Sequence, residues 1–274
     1  MRHLLCVLAM MLAASVAAQT YVTDDILADQ TWTPAGSPYV IQDNISVTAS
    51  AILTIQSSPS AGVTVAFDGH YELQTEASGR IVAEGNADHH VVFTSHAGSP
   101  SPGDWIWVEI TGLQQSTFDY CTFEYGRSGV RAGNCDPLVT NCIIRNCDQE
   151  GVYCLSAAPL ITQCDISGNR FGIFIDNTLD QDVPTINYCN IYDNSSRNLR
   201  VMNFPAPLTW INCENNWWGT DVESEIQLSI SDNYDNPDLY AIVDYDPWLH
   251  EVPVEESSWG RVKTLFLGQT HRGD

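Results

Sequence analysis

The sequence predicts an all-β fold, a single-domain parallel β-helix solenoid with about 21–25 residues per coil. The first observation behind this is a column of five cysteines, Cys121, Cys142, Cys164, Cys189 and Cys213, spaced by 21, 22, 25 and 24 residues. Self-similarity at a near-fixed period marks a repeat architecture. Aligning on the cysteine brings Phe123, Ile144, Ile166 and Ile191 into a second column, two residues later. It also aligns Pro137, Pro159 and Pro184 five residues earlier, and the pairs Gly129-Val130, Gly151-Val152 and Gly172-Ile173 between coils.

The second observation is short-range alternation. Val130-Arg131-Ala132, Val152-Tyr153-Cys154, Ile173-Phe174-Ile175 and Leu199-Arg200-Val201 alternate in, out, in, as half-buried strands do. A further strand follows each cysteine, at Thr122-Phe123, Ile143-Ile144, Asp165-Ile166 and Asn190-Ile191. Another follows each proline, at Leu138-Val139, Leu160-Ile161 and Thr185-Ile186. Corners fall at Gly126, Asn146, Gly168-Asn169 and Asp193-Asn194, where the backbone must be permissive. Three short strands per coil fit a β-helix, and no LxxLxLxxN pattern points to leucine-rich repeats.

The N-terminal half is less regular but of the same kind. Tyr39–Ile41, Ile45–Val47, Ile52–Ile55, Val63–Phe67, Ile81–Ala83 and Val91–Phe93 are β-rich runs split by turn residues. Ahead of them, Arg2 and His3, the apolar run Leu4–Val16 and the small residues Val16-Ala17-Ala18 read as a secretory signal over residues 1–18. The expected organisation is then an N-terminal cap at 19–38, coils over 39–219, a C-terminal cap at 220–250 and a tail at 251–274. Caps are needed because open coils expose strand edges and apolar interior, and Trp217-Trp218 suits the plugging of one end. The run at 4–16 is too short to cross a membrane, and no later segment approaches ~18 apolar residues, so no integral membrane segment is expected after leader removal.

The net charge is -23 and Lys263 is the only lysine. Phosphate contact needs Lys and Arg clusters, so nucleic acid is excluded as a partner. The acidity suits solubility outside the cell. Of nine cysteines, eight follow the leader. The periodic five are expected to form an internal thiol ladder, since residues repeating once per coil stack directly and cysteine buries readily. For Cys135, Cys147 and Cys154 the redox state is open. No CxxC or His-spaced pair marks a metal site.

Tyr39–Phe67 with its TASAILTIQ and GVTVAF runs, then Gly79–Gly85 and Val92–Ser95, resembles exported bacterial right-handed parallel β-helix proteins of the pectin-lyase-like superfamily. Gly103-Asp104-Trp105, Phe118–Tyr125, Asn215–Gly219 and Val243–Leu249 continue the resemblance. It implies a right-handed helix, but not one activity, because that superfamily holds pectin and pectate lyases, polygalacturonases and surface proteins with no known catalysis. The segment Glu255–Lys263 is similar to C-terminal segments of some large exported bacterial proteins, which would make the tail a sorting or anchoring element; the other reading is a disordered end.

Stacked coils turn outward columns into stripes. Glu124, Arg145, Ser167 and Tyr192 form one; Arg127, Asp148 and Arg170 form another. A uronate lyase needs a basic residue to take the C5 proton, for which Arg145 and Arg170 are the candidates, with Asp148, Asp165 and Asp193 nearby. A glycoside hydrolase needs two carboxyl groups about 5–9.5 Å apart, for which Asp148 and Asp165 are the nearest pair. The polygalacturonase motifs are missing: no NTD, no RIK, and Gly69-His70 leads to Tyr71. Opposite charges on neighbouring rungs also pair for purely structural reasons.

The middle residues of the alternating strand, Arg131, Tyr153, Phe174 and Arg200, form a third stripe. Two outward aromatics between two arginines suit sugar rings and carboxylates. The loop Ser231–Asp238 offers Asp232, Asp235 and Asp238 as oxygen ligands, so Ca²⁺ is the one metal considered, although EF-hand spacing is absent; no other cofactor is expected. The sequence thus reads as an exported structural or binding module, secreted or at the cell surface, with a polysaccharide or cell-surface component as partner. The alternative is a polysaccharide lyase or glycoside hydrolase acting on uronate-containing glycans.

Overall fold

The computed structural model describes residues 19–112, 114–177 and 183–250. The leader expected at 1–18 and the tail at 251–274 lie outside the described residues. Three parallel sheets wind around one apolar core. The first sheet runs from Thr20–Val22 through Tyr39–Ile41, Val63–Phe67, Val91–Ser95, Cys121–Glu124, Ile143–Arg145 and Asp165–Ser167 to Asn190–Tyr192. The second begins at Ile45–Val47 and passes through Leu73–Thr75, Val108–Ile110, Val130–Gly133, Glu150–Leu155, Phe171–Asp176 and Arg197–Met202 to Ile230–Ser231. The third contains Gln30–Trp32, Ile52–Gln56, Arg80–Glu84, Thr117–Asp119, Leu138–Thr140, Leu160–Thr162 and Thr185–Asn187. Every pairing within them is parallel, and from Tyr39 to Tyr192 each coil crosses all three sheets in turn. Among the described residues no helix is long and apolar enough to cross a membrane.

Corners explain how short coils close. Tyr120, Asn141, Gln163 and Tyr188, each just before a column cysteine, adopt φ of 50, 53, 57 and 57°. Another left-handed column, Tyr125, Asn146, Gly168 and Asp193, ends the first-sheet strands, and Asn134, Ser156 and Asn203 turn the chain after the second sheet. One residue at positive φ redirects a strand without a long loop; Asn and Gly do so at least cost. The cysteine that follows points inward. Cys142 Sγ donates to Thr140 O at 3.1 Å and Phe118 O at 3.5 Å, and Cys164 and Cys189 repeat this pattern. The column is therefore an internal ladder as expected, and all eight described cysteines are free thiols.

The core is built of like residues stacked rung on rung. Phe93 and Phe123 lie parallel at 4.6 Å with Phe118 edge-on to both, and Ile144, Ile166 and Ile191 continue the column. Beside it runs an asparagine ladder. Asn169, 2% exposed, donates to Ile144 O and Asn194 Oδ1 and accepts from the Cys147 N–H, so its amide replaces backbone partners lost at the corner.

Three expectations need correction. A coil length of about 21–25 residues holds in the first sheet between Cys121 and Tyr192, whereas Leu199 and its partner Ile230 in the second sheet lie 31 positions apart. In the first sheet Tyr39 pairs with Val65 and Cys121 with Val91, 26 and 30 residues apart, because 57–62, 68–72 and 96–107 add loops between strands. Residues 19–38 are more than a cap: Thr20–Val22 and Gln30–Trp32 are the edge strands of two sheets, and only 19 residues separate Thr20 from its partner Tyr39. Phe174 lies on the outer face but is 8% exposed, since Tyr153, Phe171 and Arg200 cover it. At the C-terminal end, helix Glu223–Ser229 and the paired strands Thr209–Asn212 and Ala241–Asp244 close the solenoid, with Trp218 inside.

Candidate binding faces

The register places Arg131 beside Tyr153, Tyr153 beside Phe174, and Phe174 beside Arg200 on the outer face of the second sheet. The four residues of the alternating stripe therefore meet. Their ring faces turn along the solenoid axis: Tyr153 and Phe174 stack at 5.3 Å with 18° between planes. The Arg131 guanidinium lies 4.8 Å from the Trp107 ring and 4.6 Å from Tyr153, with its Nε 2.7 Å from Glu109 Oε1. Arg200 lies over both Phe171 and Phe174 at 5.3 Å. Arg127 and Arg170 extend the belt, at 5.8 Å from Trp107 and 5.2 Å from Phe171. Sequence reasoning missed Trp107, which directly precedes strand Val108–Ile110, and Phe171, which opens strand Phe171–Asp176 and pairs with Glu150 and Arg197 outside the stripe's own column.

Four of the chain's few cations thus share one surface, each fixed against an aromatic ring. Among the described residues Arg127, Arg170 and Arg200 form no ion pair with a carboxylate. Carboxylates do border the belt. Burial, then the neighbouring Glu109, raise the Glu72 carboxyl above its ordinary value, with Arg131 opposing the rise. Tyr153 donates to Asp176 Oδ2 at 3.1 Å, and burial followed by that carboxylate pushes its phenol up to about 12.

The catalytic candidates are dispersed. Arg145 pairs with Glu124 at 3.1 Å across neighbouring rungs of the first sheet. The alternating Arg127, Asp148 and Arg170 column does not pair by charge. Arg170 donates to Gln149 Oε1, Asp148 accepts from Gln149 Nε2, and Arg127 turns to Trp107. Flat aromatic partners beside each arginine displace the expected contacts. Asp165 accepts from Ser167, Asn190 and Tyr192, the last two at 3.4 Å.

A second concavity lies at the C-terminal end, between helix Glu223–Ser229, the 231–238 loop and strand Ala241–Asp244, and holds about 800 Å³. Asp232 and Asp235, both named as possible Ca²⁺ ligands, line it, whereas Asp238 does not. Asp232 accepts the Tyr234 and Val243 N–H groups at 2.9 and 2.8 Å, one per oxygen, which ties the loop to the strand; burial raises its pKa. Among the described residues no three His, Cys, Asp or Glu side chains are grouped to hold a metal ion.

The family described as right handed beta helix region matches residues 107–233. No curated protein and no solved structure matches the chain. With that match falling on coils whose three sheets are wholly parallel, the chain folds as a right-handed parallel β-helix.

Proposed function

We propose that this chain is an exported binding module, secreted or held at the cell surface, whose arginine–aromatic belt retains an anionic polysaccharide. The observation that carries the reading is the set of three guanidinium groups, on Arg127, Arg170 and Arg200, held against rings without a carboxylate partner among the described residues. Ring contact leaves guanidinium edges free to donate in a fork that suits carboxylate and sulfate groups. Rigid parallel rungs repeat about every 4.8 Å, so such donors are spaced along an extended ligand at no ordering cost. The ring faces are already stacked on one another, so recognition runs through hydrogen bonds and charge rather than through sugar stacking.

The test is retention of the full chain on immobilised polygalacturonate and on a neutral glucan, with new reducing ends and unsaturated uronate followed in the same samples. Retention on the acidic polymer alone, weakened by salt and lost in Arg127→Ala/Arg170→Ala/Arg200→Ala, is expected. Equal retention of that variant refutes the belt as the binding surface. Turnover that disappears on substituting Arg145 or Arg170 replaces the binding module with the lyase reading.

A further inference from the structure

The belt leaves the C-terminal concavity without a role, and its chemistry is opposite. Its carboxylates are Glu223, Asp232, Asp235, Asp244 and Asp246, and no Lys, Arg or His lines it. Among the described residues none of the five has a cationic partner. The walls also carry Trp210, Tyr234 and Tyr245, and Leu228 stands at the rim. Trp210, Tyr234 and Leu228 are 56, 74 and 73% exposed, an unusual cluster of large apolar groups left open to water. An uronate or phosphate is repelled from such a site. A cationic segment with apolar side chains satisfies both features, since ammonium and guanidinium groups pair with carboxylates and lie over indole and phenol rings.

This chain carries such a segment. Residues 257–272 contain Arg261, Lys263 and Arg272 with no Asp or Glu, interleaved with Trp259, Val262, Leu265, Phe266 and Leu267. The last described residues lie against the cleft: Tyr245 and Asp246 line it, the Trp248 ring packs 5.9 Å from Tyr245, and Leu249 N donates to Asn216 O. Arg261 lies eleven positions after His250, and an extended chain of that length reaches ~35 Å. We propose that the basic–apolar segment 257–272 docks in the acidic aromatic cleft of its own molecule and covers the Trp210–Leu228–Tyr234 rim. Tethering favours this occupant over a separate basic peptide, because a short linker supplies a local concentration in the millimolar range. The inference does not depend on the belt or its ligand.

Trypsin reads the docking directly, since it cuts after Arg261, Lys263 and Arg272. The full chain and the free peptide 251–274 are digested side by side, and cleavage of those three bonds is followed by mass spectrometry. In the full chain they are expected to be cut at least about tenfold more slowly than in the peptide, as a tethered site at millimolar effective concentration allows. Protection should vanish in about 1 M salt, where charges are screened within about 3 Å. It should also vanish in the Asp235→Asn/Asp246→Asn variant and, independently, in wild-type chain mixed with excess peptide 257–272. Equal rates for chain and peptide overturn the proposal, as does protection that the cleft variant and the competing peptide leave intact. Protection that fades when the protein is diluted assigns the cleft to a second copy's tail and overturns docking within one molecule.

Discussion

Replacing Arg131 with Met tests whether the belt is organised by charge as well as by ring contact. Arg131 lies between Trp107 and Tyr153 at 4.8 and 4.6 Å and pairs with Glu109 at 2.7 Å, with side chains 25 and 17% exposed. Each half-buried cation–ring contact contributes about 1 kcal/mol. Loss of a charge-assisted contact that leaves Glu109 half-buried costs about 1.5–3 kcal/mol more. Methionine restores part of the packing, so the expected loss at pH 7 is about 3 kcal/mol. The loss should shrink in acid. Glu72 is already raised by burial and by Glu109, with Arg131 opposing both. Removing Arg131 raises it further, and a carboxyl raised in the folded state lowers stability as pH climbs through its unfolded value. The variant's deficit is therefore smaller near pH 4, where the raised Glu72 carboxyl holds its proton, and grows toward neutrality. Urea midpoints at pH 4 and pH 7, followed by near-ultraviolet dichroism, measure both values. A deficit equal at the two pH values, or below about 1 kcal/mol at pH 7, refutes the charge reasoning.

Two further outcomes follow from the coil interior. A Cβ at Gly151 would stand 2.7 Å from Gly172 O, 2.9 Å from Asn169 Nδ2 and 3.0 Å from Ile166 Cγ2, whereas at Gly98 it meets nothing within 4 Å. Gly151→Ala is expected to lower stability by about 1–3 kcal/mol and Gly98→Ala to leave it unchanged, and a urea series in which the two behave alike contradicts this. Burial pushes the Cys135 and Cys147 thiols up to about 12 from 9.0. The unfolded chain releases these protons from about pH 9 while the folded chain keeps them, so stability falls between about pH 9 and 12 by up to about 1.4 kcal/mol per thiol per unit. A Cys147→Ala chain should lose less stability than wild type between pH 8 and pH 10; equal losses would show that Cys147 does not take part.

The repeat itself was legible from Cys121 onward because the first-sheet rungs there recur at similar spacings of 21, 22 and 25 residues. Every residue type that must stack, such as Cys142 on Cys164 or Ile144 on Ile166, then recurs at one period. The N-terminal coils hid theirs. Loops inserted between strands change the spacing without disturbing the register, so Leu73–Thr75 and Val108–Ile110 escaped notice although they pair with each other. Left-handed corners were foreseen at Asn146 and Gly168 but not at Tyr120, Tyr125 and Tyr188, where position in the coil overrides residue preference.

Local pattern alone determined the fold class, the inward columns and the stripe Arg131–Tyr153–Phe174–Arg200, since alternation and period depend on neighbours in sequence. Tertiary structure decided what those side chains touch. Trp107 joins the belt by packing under Arg131 of the next coil, and Phe171 by standing edge-on to Phe174 of its own strand. Trp210, Leu228 and Asp246 have no periodic relation, and only the closing of the C-terminal end brings them to one cleft. A repeat encodes contacts one coil apart; a cap is not repeated, so its contacts exist only once the chain is folded.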